Sequence, residues 1–317
     1  MTIFILLVLG LLLLVIGGEL LVRGAVAIAQ IARVTPAVIG LTIVAVGTSL
    51  PELAVTAFAR FSDLPDVAMG NIIGSNIFNL AVVLGVASLL VPLRVHGNAL
   101  KLEWPFMFIS SFAVLLVARD GVVDRLEGGF FVISLILFTL YSIRAARKEA
   151  RGREADHPKT ELLTAPLRKW RSTVLNTGLV ITGIAGLTLG ARFLVIAAVD
   201  LAEMIGMSER VVGLTIVAAG TGLPEIATSI VAVLRKQTEI AIANVMGSNI
   251  FNILGTVGLV SLIKPTEVAP ELISSDMWWM MGFSLTVLPM MVIGFRILRK
   301  EGILLLLGYS VYLFLLI

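Results

Sequence analysis

Two stretches of this chain are nearly the same sentence written twice. Residues 40–52 read G-L-T-I-V-A-V-G-T-S-L-P-E, and residues 213–225 read G-L-T-I-V-A-A-G-T-G-L-P-E. Downstream, N-I-I-G-S-N-I-F-N at 71–79 is echoed by N-V-M-G-S-N-I-F-N at 244–252. Both echoes are offset by 173 residues, so the halves share spacing as well as letters. A duplication of this kind predicts two copies of one structural unit. Each copy also carries one acid, Glu52 or Glu225, inside a strongly apolar run.

The surrounding composition says where those acids sit. Of the 317 residues 58% are hydrophobic and 14% charged, against about 25% charged in soluble domains, and the mean hydropathy is +1.03. This predicts a polytopic membrane protein with no soluble domain. The formal charge of +3 is then a matter of loops and not a nucleic-acid signal. Cysteine is absent, which excludes disulfides and thiolate metal sites. His96 and His157 fall in candidate loops and read as ordinary solvated side chains. The apolar N-terminus has no basic residue before Arg23, so it reads as a retained first helix and not a signal peptide.

Ten apolar segments can be marked, near 2–32, 36–60, 66–92, 102–118, 126–145, 172–204, 209–233, 239–263, 275–297 and 301–317. About 20 residues span a bilayer, so the first and sixth segments are long enough to tilt or project. The one long polar stretch, 144–171, holds nine basic residues and reads as a cytoplasmic anchor. Placing it inside puts 17 basic residues on that side and five outside, with both termini outside. Asp63, Asp66, Asp120, Asp124, Glu127, Glu209, Glu267, Glu271 and Asp276 then fall outside as well. Five helices is an odd number, so a tandem five-helix unit must enter the membrane the second time from the opposite side. The expected fold is an all-α membrane protein of ten transmembrane helices in two inverted five-helix repeats, 1–145 and 171–317, joined by a basic linker at 146–170.

In G-T-S-L-P-E, Pro51 lacks an amide hydrogen and its ring clashes with the Gly47 carbonyl four residues back. Pro224 stands in the same relation to Gly220. Both helices should break there and free backbone carbonyls near Ala45 and Ala218, which cannot face lipid but can face a cation. Ser75 and Asn79, like Ser248 and Asn252, lie four apart and share a helical face. Asn76 and Asn249 point elsewhere and read as interhelical hydrogen bonds at a tight crossing. A carboxylate at the bilayer centre costs about 3 kcal/mol on insertion scales and usually marks an ion or proton pathway. The candidate ligands are therefore Glu52, Glu225, Thr48, Ser49, Thr221, Ser75, Ser248, Asn79, Asn252 and the carbonyls of Ala45 and Ala218. All-oxygen ligation suits hard cations, and calcium accepts six to eight oxygens in flexible geometry. Two carboxylates balance one Ca²⁺ or two monovalent ions, which is the electrostatic logic of exchange. The other membrane charges, Glu19, Arg23 and Arg192, read as structural or interfacial.

These repeats resemble the two alpha-repeats of the calcium/cation antiporter superfamily, specifically its prokaryotic sodium/calcium exchangers. The resemblance covers almost the whole chain and implies Na⁺-driven Ca²⁺ transport by alternating access, in an inner (plasma) membrane. It implies a binding core from the second, third, seventh and eighth helices, with the long first and sixth helices sliding across it. Glu52 and Glu225 would be shared Ca²⁺ and Na⁺ ligands. Thr48, Ser49, Thr221, Ser75 and Ser248, with the Ala45 and Ala218 carbonyls, would serve the Na⁺ sites. Ca²⁺ and Na⁺ are the expected substrates and the bilayer the expected partner; no cofactor, nucleic acid or obligate protein partner is expected. Two departures stand out: Gly222 replaces the family's usual serine, and Asn252 stands where many exchangers carry aspartate.

A proton-coupled Ca²⁺ antiporter is the nearest alternative, with Glu52 and Glu225 accepting protons. The hydroxyls of G-T-S-L-P-E favour sodium, because a proton does not need them. A channel would place its filter on an axis through several subunits, whereas this duplication lies inside one chain. An intramembrane enzyme lacks support: there is no H-E-x-x-H, and no buried acid pair is expected beyond the two repeat glutamates.

Overall fold

The computed structural model describes residues 2–32, 34–62, 64–156, 166–204 and 218–316. Arg33, Asp63, residues 157–165 of the linker with His157, and residues 205–217 with Glu209, Arg210 and the start of the second motif lie outside the described residues.

The described residues are helical apart from turns and four two-residue strands. In chain order the helices are α1 (Thr2–Ala32), α2 (Pro36–Thr48), α3 (Leu50–Phe61), α4 (Asp66–Leu90), α5 (Ala99–Asp120), α6 (Arg125–Asp156) and α7 (Pro166–Met204). After the undescribed segment come α8 (Ala218–Thr221), α9 (Leu223–Leu234), α10 (Thr238–Ile263), α11 (Leu272–Asp276 continuing as Met277–Val292) and α12 (Arg299–Leu316). Proline opens several of them: Pro36, Pro51 and Pro224 each stand in a first turn, where no intrahelical amide bond is lost. By length and composition six described helices can cross a membrane, and the bent pair α2–α3 makes a seventh. The end of α6 at Asp156 and the start of α7 at Pro166 carry helix well into the stretch expected to be linker.

Helices α1 and α7 run antiparallel at backbone contact. A Cβ on Gly17 would stand 2.7 Å from the Leu187 nitrogen, one on Gly24 2.8 Å from the Asn176 carbonyl, and one on Gly190 2.9 Å from the Gly10 carbonyl. Glycine every seventh residue of α1 makes this approach possible, and packing of small residues is what holds helices together where lipid offers no hydrophobic drive. Two similar crossings join the halves of the chain. Gly85 of α4 meets Gly302 of α12, and Gly258 of α10 meets Gly128 of α6.

The strands also pair across the halves. β1 (Leu93–Arg94) lies antiparallel to β4 (Arg296–Ile297), and β2 (Val122–Val123) to β3 (Thr266–Glu267). No strand was expected from the sequence; two residues are too short to show an alternating pattern. Helix α5 lies between β1 and β2 in the chain, about 33 Å of helix at 1.5 Å per residue. The pairing groups Arg94 with Arg296 and, at the other end of α5, Val122 with Glu267.

Three side chains depart from the sequence reading. His96 is not simply solvated: its Nε2 lies 3.0 Å from Oε1 of Glu103, which is buried. Asp276, expected in an outer loop, is buried and accepts the Tyr312 hydroxyl at 2.7 Å. Glu103 and Asp276 stand 173 residues apart, so the two repeat glutamates are not the only buried acids. A single acid next to a loop carries no periodic signal of its burial; the neighbouring helices decide it. Glu19 pairs with Arg23 at 2.6 Å, one helical turn away, and also with Arg235 beyond the end of α9.

Candidate cation site

The site is built on two interrupted helices. Between α2 and α3 the axis bends by 42°, and the residue at the break is Ser49, with φ −88° and ψ 7°. Pro51 withholds the amide that would reach the Gly47 carbonyl. The Ala45 carbonyl accepts the Ser49 amide at 3.0 Å and faces the Thr48 hydroxyl at 3.3 Å. In the second copy the break falls on Gly222, with φ −82° and ψ 0°. There the Gly222 amide reaches the carbonyl of Ala219, at 3.2 Å, and Ala218 opens α8. Both interruptions lie where the prolines predicted them, but the Ala45 carbonyl is not freed as expected: the regular bond from the Ser49 amide survives, because Pro51 removes only the amide two residues further on.

Each break presents a glutamate from the first turn that follows. Glu52 and Glu225 are both 0% exposed. Ser49 donates its hydroxyl to Glu225 Oε1 at 3.2 Å, across the boundary between the halves. The Thr48 and Ser248 hydroxyls lie near the same carboxylate. The counterpart of Ser49 is Gly222, which has no hydroxyl to return to Glu52. Both Glu52 oxygens accordingly lack a hydrogen-bond partner among the described residues, as does Glu225 Oε2. An unpaired buried carboxylate costs several kcal/mol, and a bound cation removes that penalty.

Helices α4 and α10 supply the neutral oxygens. Asn79 donates its amide to Asn249 Oδ1 at 3.1 Å, and Asn252 donates to Asn76 Oδ1 at 3.2 Å. Asn76 in turn points its amide at the Met280 sulfur, 3.6 Å away, and Asn249 at the Met107 sulfur, 3.7 Å away. Each member of these pairs has its counterpart 173 residues on. Asn76 and Asn249 thus make the interhelical bonds expected of them. In doing so they hold Asn79 and Asn252 by the nitrogen. The Asn79 and Asn252 carbonyl oxygens are left with no partner among the described residues, as is the Ser248 hydroxyl. Asn79 begins a wider, π-helical stretch (Asn79–Val83), and Asn252 lies inside another (Phe251–Val257). Such irregular turns recur at functional sites.

Of the sequence candidates, Thr48, Ser49, Glu52, Glu225 and Ser248 meet around the carboxylates. Asn79 and Asn252 meet in the asparagine network one to two turns along the same helices. Ser75 is buried on α4, one turn from Asn79, and Thr221 is buried beside the second break. Sequence reasoning passed over Asn71 and Asn244. Asn71 donates to the Glu52 carbonyl at 3.3 Å and to the Thr56 hydroxyl at 3.0 Å. The Thr48 hydroxyl faces Asn244 Oδ1 at 3.4 Å. Extending the four-residue spacing one turn back, from Ser75 to Asn71 and from Ser248 to Asn244, would have found both. Among the described residues no three His, Cys, Asp or Glu side chains gather as a metal cluster. The oxygens are mostly neutral, as suits a hard cation balanced by two carboxylates.

Known proteins carry the same architecture. The sodium/calcium exchanger protein family matches residues 2–144 and 175–317. The CaxA protein of Alkalimonas amylolytica is 36% identical over 325 residues, covering 99% of this chain and 98% of its own. The sodium/calcium exchanger MaX1 of Methanosarcina acetivorans is 31% identical over 345 residues, covering 98% and 97%. A solved structure of the sodium-calcium exchanger NCX_Mj superposes with a TM-score of 0.84 at 29% identity and covers 98% of each chain. With the buried acids, the broken helices and the membrane-spanning architecture already in place, these matches make the chain a multi-pass integral membrane transporter that belongs to the sodium/calcium exchanger protein family.

Proposed function

We propose that this protein is a secondary active antiporter that exchanges Na⁺ for Ca²⁺ by alternating access. The observation that carries the reading is the set of buried oxygens without hydrogen-bond partners among the described residues, both of Glu52 and one of Glu225 at the two helix breaks and those of Asn79, Asn252 and Ser248 on α4 and α10. Glu52 and Glu225 supply the charge, −2, that one Ca²⁺ or two Na⁺ neutralise. Thr48, Ser49, Thr221, Ser75, Ser248, Asn79, Asn252 and the carbonyls of Ala45 and Ala218 complete the oxygen shell. Relatives named as sodium/calcium exchangers support sodium as the driving ion.

The proposed topology has ten spans in two inverted repeats, 1–145 and 171–317, with the 146–170 linker cytoplasmic and both termini outside, in the plasma membrane. The matched asparagine bonds, the antiparallel α1–α7 crossing and the reciprocal strand pairs support a two-fold relation between the halves. An ion bound between such halves can be released to either side when they trade conformations.

The test is Ca²⁺ flux in sealed vesicles of purified protein, with a Na⁺ gradient or a proton gradient imposed separately. Ca²⁺ movement driven by Na⁺ and indifferent to protons is expected. Movement driven by protons alone replaces sodium coupling with the proton-coupled form, which Gly222 favours by leaving Glu52 without a hydroxyl donor. No Ca²⁺ movement under either gradient overturns the reading.

A further inference from the structure

Asn71 and Asn244 occupy equivalent positions in the two halves, yet they do different things. Asn71 stays within its own half and donates its amide to the Thr56 hydroxyl at 3.0 Å and the Glu52 carbonyl at 3.3 Å. It thereby ties α4 to the first turns of α3, the helix that carries Glu52. The residue equivalent to Thr56 is Ser229, on α9 behind Glu225. Asn244 does not bond to it. Its carbonyl faces across the boundary toward the Thr48 hydroxyl, at 3.4 Å. The Asn244 amide nitrogen and the Ser229 hydroxyl are both buried without a hydrogen-bond partner among the described residues. The two atoms left over on one side are the counterparts of the two atoms bonded on the other.

Leaving a buried donor and a buried acceptor unmade is expensive, and native structures rarely keep such groups without a reason. The nearby network shows that these halves can keep matched bonds. The Asn79–Asn249 and Asn252–Asn76 pairs are equivalent, and so are the two asparagine–methionine contacts. The Asn249 amide's added reach to the Asn76 carbonyl, at 3.3 Å, departs slightly from that match; the bonds wholly missing on one side are those to the helix that carries Glu225.

We propose that Asn71 and Asn244 are positioning residues of a reciprocal switch: when the transporter changes the face it opens to, the Asn71–Thr56 bond is released and an Asn244–Ser229 bond is made. The inference rests on the antiport reading and its inverted repeats. In an inverted-repeat transporter the two access states arise when the halves exchange conformations. A bond present in one half and absent in the other is then a bond that changes sides. In the second arrangement Asn244 takes Ser229 and the Glu225 carbonyl, and Asn71 turns toward Thr221. The switch acts on the helices behind the acids and, in doing so, exchanges which threonine of the oxygen shell, Thr48 or Thr221, faces an asparagine. Each ordered half is a discrete arrangement, so the switch favours two end states over intermediates.

The natural chain contains no cysteine, which permits a direct readout. Single cysteines go at Leu50 and, separately, Leu223, the equivalent first residues after each break. They are labelled with a membrane-impermeant maleimide from each face of oriented vesicles without Na⁺ or Ca²⁺. Thr56→Val removes the hydroxyl bonded now and should move the ratio of the two faces' labelling rates about fivefold away from the present state, the worth of one neutral hydrogen bond. Ser229→Ala should move the ratio about fivefold the other way. Thr56→Ser, which keeps the hydroxyl, should stay within twofold of the parent. Ser229→Ala deletes a group that has no partner in this arrangement, so a purely structural role predicts no shift. It decides the matter alone if Thr56→Val does not insert. The proposal is overturned if both variants shift the ratio the same way, or if Ser229→Ala leaves it within twofold. Opposed shifts in a protein that moves no Ca²⁺ would retain the switch and sink the antiport reading instead.

Discussion

Replacing Gly222 by serine is the sharpest test of what the second helix break lacks. By equivalence with Ser49, a serine at 222 would offer its hydroxyl to Glu52, whose two oxygens have no partner now. A hydrogen bond to a charged acceptor is worth about 1.5–3 kcal/mol. The space for it is already taken: a Cβ on residue 222 would lie 2.5 Å from Cε1 and 2.6 Å from Cδ1 of Phe78. Phe78 is largely buried and held edge-on against Tyr309, with ring centroids 5.9 Å apart, so it cannot simply swing aside. Forcing extra atoms into a packed core costs about 1–3 kcal/mol. The clash therefore keeps the hydroxyl from reaching Glu52 with good geometry, so little of the gain is realised while the packing strain remains in the fold. We expect Gly222→Ser alone to lower the thermal unfolding midpoint in detergent and to change the Na⁺ concentration for half-maximal Ca²⁺ release by less than about threefold. Gly222→Ser with Phe78→Leu relieves the clash. There the half-maximal Na⁺ concentration should fall about tenfold, the equivalent of about 1.4 kcal/mol, while Phe78→Leu alone leaves it unchanged. The measurement is Na⁺-driven Ca²⁺ release from loaded vesicles for all four proteins, beside their unfolding midpoints. An unchanged Na⁺ requirement in the double variant would refute position 222 as a ligand position. A large gain in the single variant without loss of stability would refute the steric part.

Glu52→Gln and Glu225→Gln should each reduce Ca²⁺ exchange by about 100-fold or more while the protein still inserts and folds, because each removes one of two charges that compensate the ion; vesicle flux near the parent rate in either would remove that glutamate from the site. Gly183→Ala should destabilise the protein by about 1–3 kcal/mol, since its Cβ would stand 2.6 Å from the Leu21 backbone nitrogen, whereas Gly178→Ala, with nothing within 4 Å, should be silent; equal unfolding midpoints for the two would show that the α1–α7 contact is loose. Deleting part of the linker between 157 and 165 should leave Ca²⁺ exchange intact, because that stretch carries no candidate ligand and its single lysine, Lys159, is one of nine basic residues that serve topology between 144 and 171; a correctly inserted but inactive deletion would assign it a role in transport.

How much of this was legible in the sequence follows from what a helix reveals along its own length. The duplication, the two buried glutamates and the two proline breaks are properties of single segments. Apolar context, ring geometry and a missing amide act on residues within one turn of each other, so reading along the chain is enough to place them. The four-residue spacing of Ser75–Asn79 and Ser248–Asn252 likewise set a face, and one more step of the same spacing would have added Asn71 and Asn244. What the sequence did not contain is the partner across the boundary. Periodicity says which side of a helix a residue occupies and nothing about which helix lies opposite. Only the tertiary structure joins Ser49 to the glutamate of the other half, pairs Asn79 with Asn249, sets Phe78 over Gly222 and buries Glu103 beside His96. Those contacts span from 7 to 176 residues. The longest are set by the way the halves interlock through glycine crossings and reciprocal strands, a geometry that no local pattern encodes.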